Sequence, residues 1–389
     1  MPSSKALFHI STFLDWSSSR LRDRFRRIEG PIHVMFCLAD HFEPGTLGAS
    51  PAEEKGRMDL LLSAYPKLAD KHRDHDGVPP RRTWFFPPHY HRNGSLPALV
   101  KLCQQGYGEV ELHLHHGKHA PDTADNLRRT IEQTVEEYAA FGTFGSENGR
   151  KRYGFVHGDW SLDNSRNGEY CGVNSELTVL RETGCYADFT FPAMAVPSAN
   201  PDMVNRIFYA TDDPERPRSY ARGREVAMRR PASGDLMMIQ GPVHPYTDTG
   251  DVRNYRMFGD GVGCEWQIDD RRIDMWIKTG IHVIGRRNWV FVKTHTHGAE
   301  DAKIVLGESL DRGFAYMESR YNDESRYVLH YVTAREMYNI IKAAEAGEAG
   351  GDPNQYRNYR VSAPQYDFQA GLPEASEELK ALVRRTYRD

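Results

Sequence analysis

Short apolar runs alternate with longer segments whose apolar residues recur every three or four positions, and this alternation persists through most of the chain. Runs at 32–39, 83–86, 109–115, 153–157, 186–191, 236–240 and 289–294 read as buried strands, with another at 327–331. Between them, segments 51–71, 96–105, 122–140, 175–182, 270–281, 301–321 and 334–346 read as helices. Local chemistry supports the boundaries. Ser50-Pro51 supplies an N-cap with proline in the first turn, and Gly106 and Gly184 follow helix ends. Leu127, Ile131, Val135 and Tyr138 line one helical face.

Strands separated by helices imply a mainly parallel sheet, because a parallel crossover needs a helix-sized connection. Histidines stand at the ends of many of these strands, which favours an architecture that gathers every strand end around one mouth. The expected fold is a distorted (β/α)7-type barrel over 31–347, after an N-terminal extension of residues 1–30 and before a C-terminal tail of 348–389. Residues 192–234, rich in Pro, Arg and Asp, form a long insertion expected to lie over the mouth. Its arginines, Arg206, Arg216, Arg218, Arg222 and Arg224, could meet an anionic group.

Composition narrows the function classes. The 389 residues are 39% hydrophobic and 11% aromatic, enough for a substantial core. A net charge of −4 and the lack of a long basic run argue against nucleic acid as a partner. Five cysteines without a C-x-x-C pair fit a reducing compartment, and Cys37 reads as a small buried thiol. With no signal-like or membrane-spanning run, the expected location is the cytoplasm. There is no phosphate-cradling glycine fingerprint and no G-x-S-x-G elbow.

The chemistry concentrates in the histidines. In the segment from Glu109 to His119, His113 and His115 alternate on one strand face, and His119 follows His115 by four positions. Imidazoles so placed suit a divalent metal; His113 is a third ligand or a supporting partner, and His116 is expected to point away toward the surface. Asp40-His41 sets a carboxylate beside an imidazole, with Glu43 close behind as a supporting acid or a loop-fixing residue. In His157-Gly158-Asp159-Trp160 the glycine permits an unusual turn, Asp159 can orient an imidazole, and Trp160 offers a flat face for a sugar ring. His295-Thr296-His297 suits a general acid aimed into the mouth. His89 and His244 join His157, Asp159 and Trp160 as candidate substrate contacts.

With these motifs the chain resembles the polysaccharide deacetylases, carbohydrate esterase family 4 and its relatives. The resemblance spans about 32–346. It implies a distorted seven-stranded β/α barrel and a metal-dependent removal of acyl groups from sugars. In that family the first strand ends in two acidic residues, the base and then a metal ligand; Asp40-His41 occupies their place, with His as the second. The family's His-[Ser/Thr]-x-x-His ligand motif is matched in spacing by His115 to His119, with His116 at the Ser/Thr position. The late catalytic acid is matched by His295 or His297. No counterpart of the family's arginine motif is visible.

The expected activity is therefore that of a metal-dependent hydrolase acting on an acetyl or other acyl group of a sugar or polysaccharide precursor. The expected ion is Zn²⁺, held by His41, His115 and His119, with Asp40 as base and His297 or His295 as acid. A glycoside hydrolase or sugar isomerase on a related barrel, with Asp159, Asp188 or Asp235 partnering Asp40, is the enzymatic alternative. A non-catalytic, metal-stabilised binding protein is the other.

Overall fold

The computed structural model describes residues 4–368 apart from 24–27, 29, 195, 201, 248–255, 264–266 and 349. Helix α1 (Ser4–Asp23) precedes strand β1 (Ile32–His41). The chain continues through α2 (Pro51–Ala69), β2 (Arg82–Phe86), α3 (Ser95–Gln104), β3 (Gly108–Leu114) and α4 (Ala124–Ala139). Next come a short hairpin strand β4 (Gly145–Glu147), then β5 (Arg150–His157), α5 (Glu176–Thr183) and β6 (Cys185–Asp188). The insertion carries β7 (Ile207–Ala210) and β8 (Gly223–Glu225) and leads to β9 (Leu236–Ile239). The remainder comprises β10 (His244–Tyr246), β11 (Arg256–Phe258), α6 (Asp270–Thr279), β12 (Trp289–Thr296), α7 (Ala302–Val305), α8 (Glu308–Tyr321), β13 (Tyr327–Tyr331) and α9 (Ala334–Ala346).

Among the described residues eleven strands form one mixed sheet: nine run in the order β12-β1-β2-β3-β5-β6-β9-β7-β8, with β13 added beside β1 and β4 beside β5. All neighbours from β12 to β9 are parallel; β7 and β8 extend the β9 side antiparallel. β1 is the most heavily paired strand. β12 runs along one of its edges, while β13 pairs with 32–36 and β2 with 38–41. The expected strands and helices are present, with the segment 301–321 broken into α7 and α8 at Gly307.

Side-chain alternation divides the buried residues into two clusters, because successive strand residues point to opposite faces. Val34, Phe36 and Leu38 of β1, Val110, Leu112 and Leu114 of β3, and Val290 and Val292 of β12 pack against the flanking helices. Met35, Cys37 and Ala39 of β1, Phe85 of β2, Val156 of β5, Met237 and Ile239 of β9, and Phe291 of β12 form the other cluster. Met337, Ile340 and Ile341 of α9 join this second, inner cluster.

The insertion departs from expectation. Much of it builds the sheet edge, and only its first residues, Pro192 to Met194 and Val196, line a cavity at the strand ends. Two of its arginines are already committed. Arg206 is buried and pairs with Asp15 of α1 and with Glu225, and Arg218 donates to the carbonyls of Pro197 and Ala199. The tail is partly built in as well: Arg357 pairs with Glu336, and the Tyr366 hydroxyl accepts the Val110 N–H. Residues beyond 368 lie outside the described ones.

Candidate functional site

The parity that sorts the core also sorts the chemistry. His41 continues the inward series Met35-Cys37-Ala39, whereas Asp40 continues the helix-facing series Val34-Phe36-Leu38. His113 and His295 lie on the same inner face as His41, their ring centroids 5.5 and 5.4 Å from its own, and His297 is 5.1 Å away. His41 is 3% exposed, and its Nε2 has no hydrogen-bond partner among the described residues.

At the centre of this cluster, His113 Nε2 and His115 Nε2 stand 3.1 Å apart. The other nitrogen of each ring is already a donor: His113 Nδ1 donates to the Val156 carbonyl at 2.9 Å, and His115 Nδ1 to Asp159 at 3.0 Å. Both Nε2 atoms face Glu43, at 3.2 and 3.3 Å. Burial depresses the His115 imidazole, but the Glu43 and Asp159 carboxylates outweigh it and raise its pKa to about 9. Positive charge is therefore favoured at this point. Two imidazole nitrogens and a carboxylate, each imidazole braced by an acceptor on its far side, form a donor set suited to Zn²⁺ or a similar divalent ion.

The turn after β5 supports the arrangement. A Cβ on Gly158 would overlap the His115 ring, so only glycine admits that ring against the β5 end. Asp159 and Trp160 follow with φ of 56° and 52°, left-handed conformations that L residues seldom adopt. The turn directs Asp159 to His115 and brings Trp160 within 6.5 Å of His41 and 5.8 Å of His297, centroid to centroid. His89 lies 6.0 Å from His115.

A cavity of about 530 Å³ opens beside these rings, lined by Trp160, Met194, Phe258, His295, His297 and Glu300 among others. This is the size range of small-molecule sites. On its wall His295 Nδ1 donates to Asp260 at 2.7 Å, and Asp260 also accepts from Lys293 at 2.9 Å. Burial opposes ionisation of Asp260, but His295 and Lys293 prevail and hold its pKa down at about 2. Burial, helped by His295, lowers His297 to about 4, leaving that ring neutral at pH 7.

Several expected site residues fall elsewhere. Asp40, expected as the base, is fully buried on the helix side, accepting from Arg82 at 2.9 Å and from the Gly298 N–H at 2.7 Å. Burial raises its pKa, opposed by Arg82. His119 is exposed and stands outside every group of described residues able to share a metal. His157, expected among the substrate contacts, and His116, expected at the surface, are both buried and meet each other on the helix side. His244 is buried, donates to the Pro245 carbonyl, and does not line the cavity. Of the carboxylates that might have partnered Asp40, Asp235 pairs with Arg181 and Asp188 accepts from Thr190. Asp260 and the central position of Glu43 were not apparent from the sequence. Nothing near Asp260 in the chain hints at a histidine 35 residues onward.

No protein-family model matches this sequence, and a search of curated proteins finds no match. The class of the molecule thus rests on its fold and site: a mainly parallel α/β sheet with a histidine–carboxylate centre at its strand ends. Among the described residues no helix is long and apolar enough to cross a membrane.

Proposed function

We propose that this protein is a metal-dependent hydrolase that removes an acyl group, with acetyl the first choice, from a sugar. The observation that carries the reading is the pair of imidazole nitrogens 3.1 Å apart, both facing Glu43 and both braced from behind, joined through His41 to His295 and His297, which line a cavity of small-molecule size. Glu43, His113 and His115 would hold the ion, with the buried His41 ring beside His113 in the same cluster. A divalent ion there supplies a Lewis acid that polarises an acyl carbonyl and makes water more acidic.

The chain's own residues divide the remaining work. Asp260 fixes the His295 ring and supplies a countercharge when that ring is protonated, leaving Nε2 to deliver the proton to the departing alkoxide or amine. His297, neutral at pH 7, would accept at the same wall the proton that the attacking water gives up. Trp160 offers an apolar face to a sugar ring, and Met194 and Phe258 exclude water around it. Asp159 orients His115. This assignment keeps the reaction class of the deacetylases that the sequence resembles while replacing Asp40, His119 and His157 in the machinery.

The test is turnover of acetylated mono- and oligosaccharides by zinc-loaded protein, with acetate and reducing ends measured in parallel. Acetate release is expected, and His295→Gln should retain its metal while losing roughly 10²–10⁴ in turnover. Reducing ends without acetate would favour a glycosidase. Full turnover in His295→Gln would remove that residue from the mechanism.

A further inference from the structure

His115 and His116 are neighbours in sequence and part company in space. His115 joins the cluster at the cavity. His116 turns to the helix side, where it meets His157, Cys171 and Glu176, all four of them at most 2% exposed. We infer that these four residues form a second metal site, a closed structural centre for Zn²⁺ with His₂CysGlu ligation.

The donor atoms converge. His116 Nε2 lies 2.9 Å from His157 Nε2 and 3.1 Å from Glu176 Oε1, and His157 Nε2 lies 3.5 Å from that same oxygen. Cys171 Sγ is 3.3 Å from the other Glu176 oxygen. One donor atom from each residue can be chosen so that all lie within 4.8 Å of one another. Donors around a tetrahedral zinc ion are themselves separated by about 3.3–3.8 Å, given Zn–N near 2.0 Å and Zn–S near 2.3 Å. A small contraction or expansion of this group meets that geometry.

The far sides of the rings make the case sharper. His116 Nδ1 donates to the Asp122 carboxylate at 3.0 Å, and His157 Nδ1 donates to the Gly158 carbonyl at 2.5 Å. The two rings therefore turn their Nε2 atoms toward each other inside a buried interior. A single proton on His116 Nε2 can serve His157 or Glu176, but not both of them. A dication accepts all four donors together. The carboxylate and carbonyl behind the imidazoles are the partners that orient metal-bound histidines. Backbone N–H groups of Asn164 and Val173 point at the Cys171 sulfur, 3.2 and 3.4 Å away, and would stabilise its thiolate. At Gly117, where φ is 68°, a Cβ would overlap the Cys171 backbone, so the loop after β3 and the 158–175 loop meet without an intervening side chain.

Ligands so completely buried make the centre structural and not catalytic. Its role is to fasten the 158–175 loop, which carries Asp159 and Trp160, to the loop after β3 and the start of α5. The inference stands apart from the hydrolase reading, since it uses none of the cavity residues.

The experiment is to strip the full-length protein with a chelator, reload it with Co²⁺, and record its electronic spectrum. The wild type is expected to show a thiolate-to-Co²⁺ charge-transfer band in the near ultraviolet together with intense tetrahedral d–d bands. No variant is needed for that observation. Cys171→Ser should abolish the charge-transfer band, and the zinc-grown variant should contain one equivalent less metal and unfold at a lower temperature. His113→Ala should leave the band in place. Absence of the band in Co²⁺-loaded wild type, or undiminished metal and an unchanged band in Cys171→Ser, would overturn the proposal.

Discussion

At Gly158 a single hydrogen atom decides whether the cavity histidine can take its position. A methyl group there would overlap the His115 ring close to Nδ1, the nitrogen that Asp159 holds at 3.0 Å. Gly158→Ala is therefore expected to push His115 away from His113 and Glu43. Loss of that support should weaken metal binding at the cavity about 10–100-fold, the usual range when a partner behind a ligand is disturbed. Competition against a chromophoric chelator would measure this, and wild-type affinity would show that the ring tolerates the methyl group. A similar economy holds at Asp260, which serves Lys293 and His295 together and so ties the β12 end to the segment before it.

Among the elements, α9 has the most unusual surroundings. Its N-terminus is closed by a capping box between Thr333 and Glu336, and its apolar side enters the inner cluster. Arg335 lies in that interior and donates to both oxygens of Glu109 on β3, at 2.7 to 3.2 Å, while its other donors reach the carbonyls of Arg357 and Val361. Cutting Arg335 back to alanine would strand a buried carboxylate. Arg335→Ala is expected to cost about 3–5 kcal/mol in a urea titration. The double replacement Arg335→Met, Glu109→Gln should cost clearly less, because no uncompensated charge remains. Equal losses in both proteins would show that packing, and not the charge pair, dominates.

For the molecule as a whole, buried carboxylates paired with cations set the acid limit of stability. Burial opposes ionisation of Asp260 and Glu336, yet the cations beside them hold both pKa values near 2, against ordinary values of 3.8 and 4.5. A carboxylate with a depressed folded-state pKa stabilises the fold above its unfolded value, and that contribution is lost as the pH falls toward the folded one. Thermal stability is expected to decline from about pH 6.5, where the unfolded chain protonates imidazoles such as His297 that the fold keeps neutral down to about 4, and to fall more steeply from about 4.5 toward 2. Glu336→Gln should make this acid limb shallower when unfolding is followed by circular dichroism. An unaltered slope would assign the acid transition to other groups.

Much of this architecture is local information. Apolar runs, caps and glycine stops marked the strands and helices, because hydrophobic periodicity and backbone chemistry act within a few residues. The same periodicity carries the two-residue alternation that separates Asp40 from His41 and His115 from His116. Read to the strand ends, it shows that neighbouring histidines must serve different faces. Helix α1 and strands β7 and β8 were less legible, since their partners lie on distant segments: Asp15 of α1 meets Arg206, and β7 pairs with β9. Only the tertiary structure brought Glu43 between two imidazoles, set Asp260 behind His295, and closed Cys171 and Glu176 around His116 and His157. Those partners come from separate loops, and which side chains meet there depends on how the strands order and register across the whole sheet.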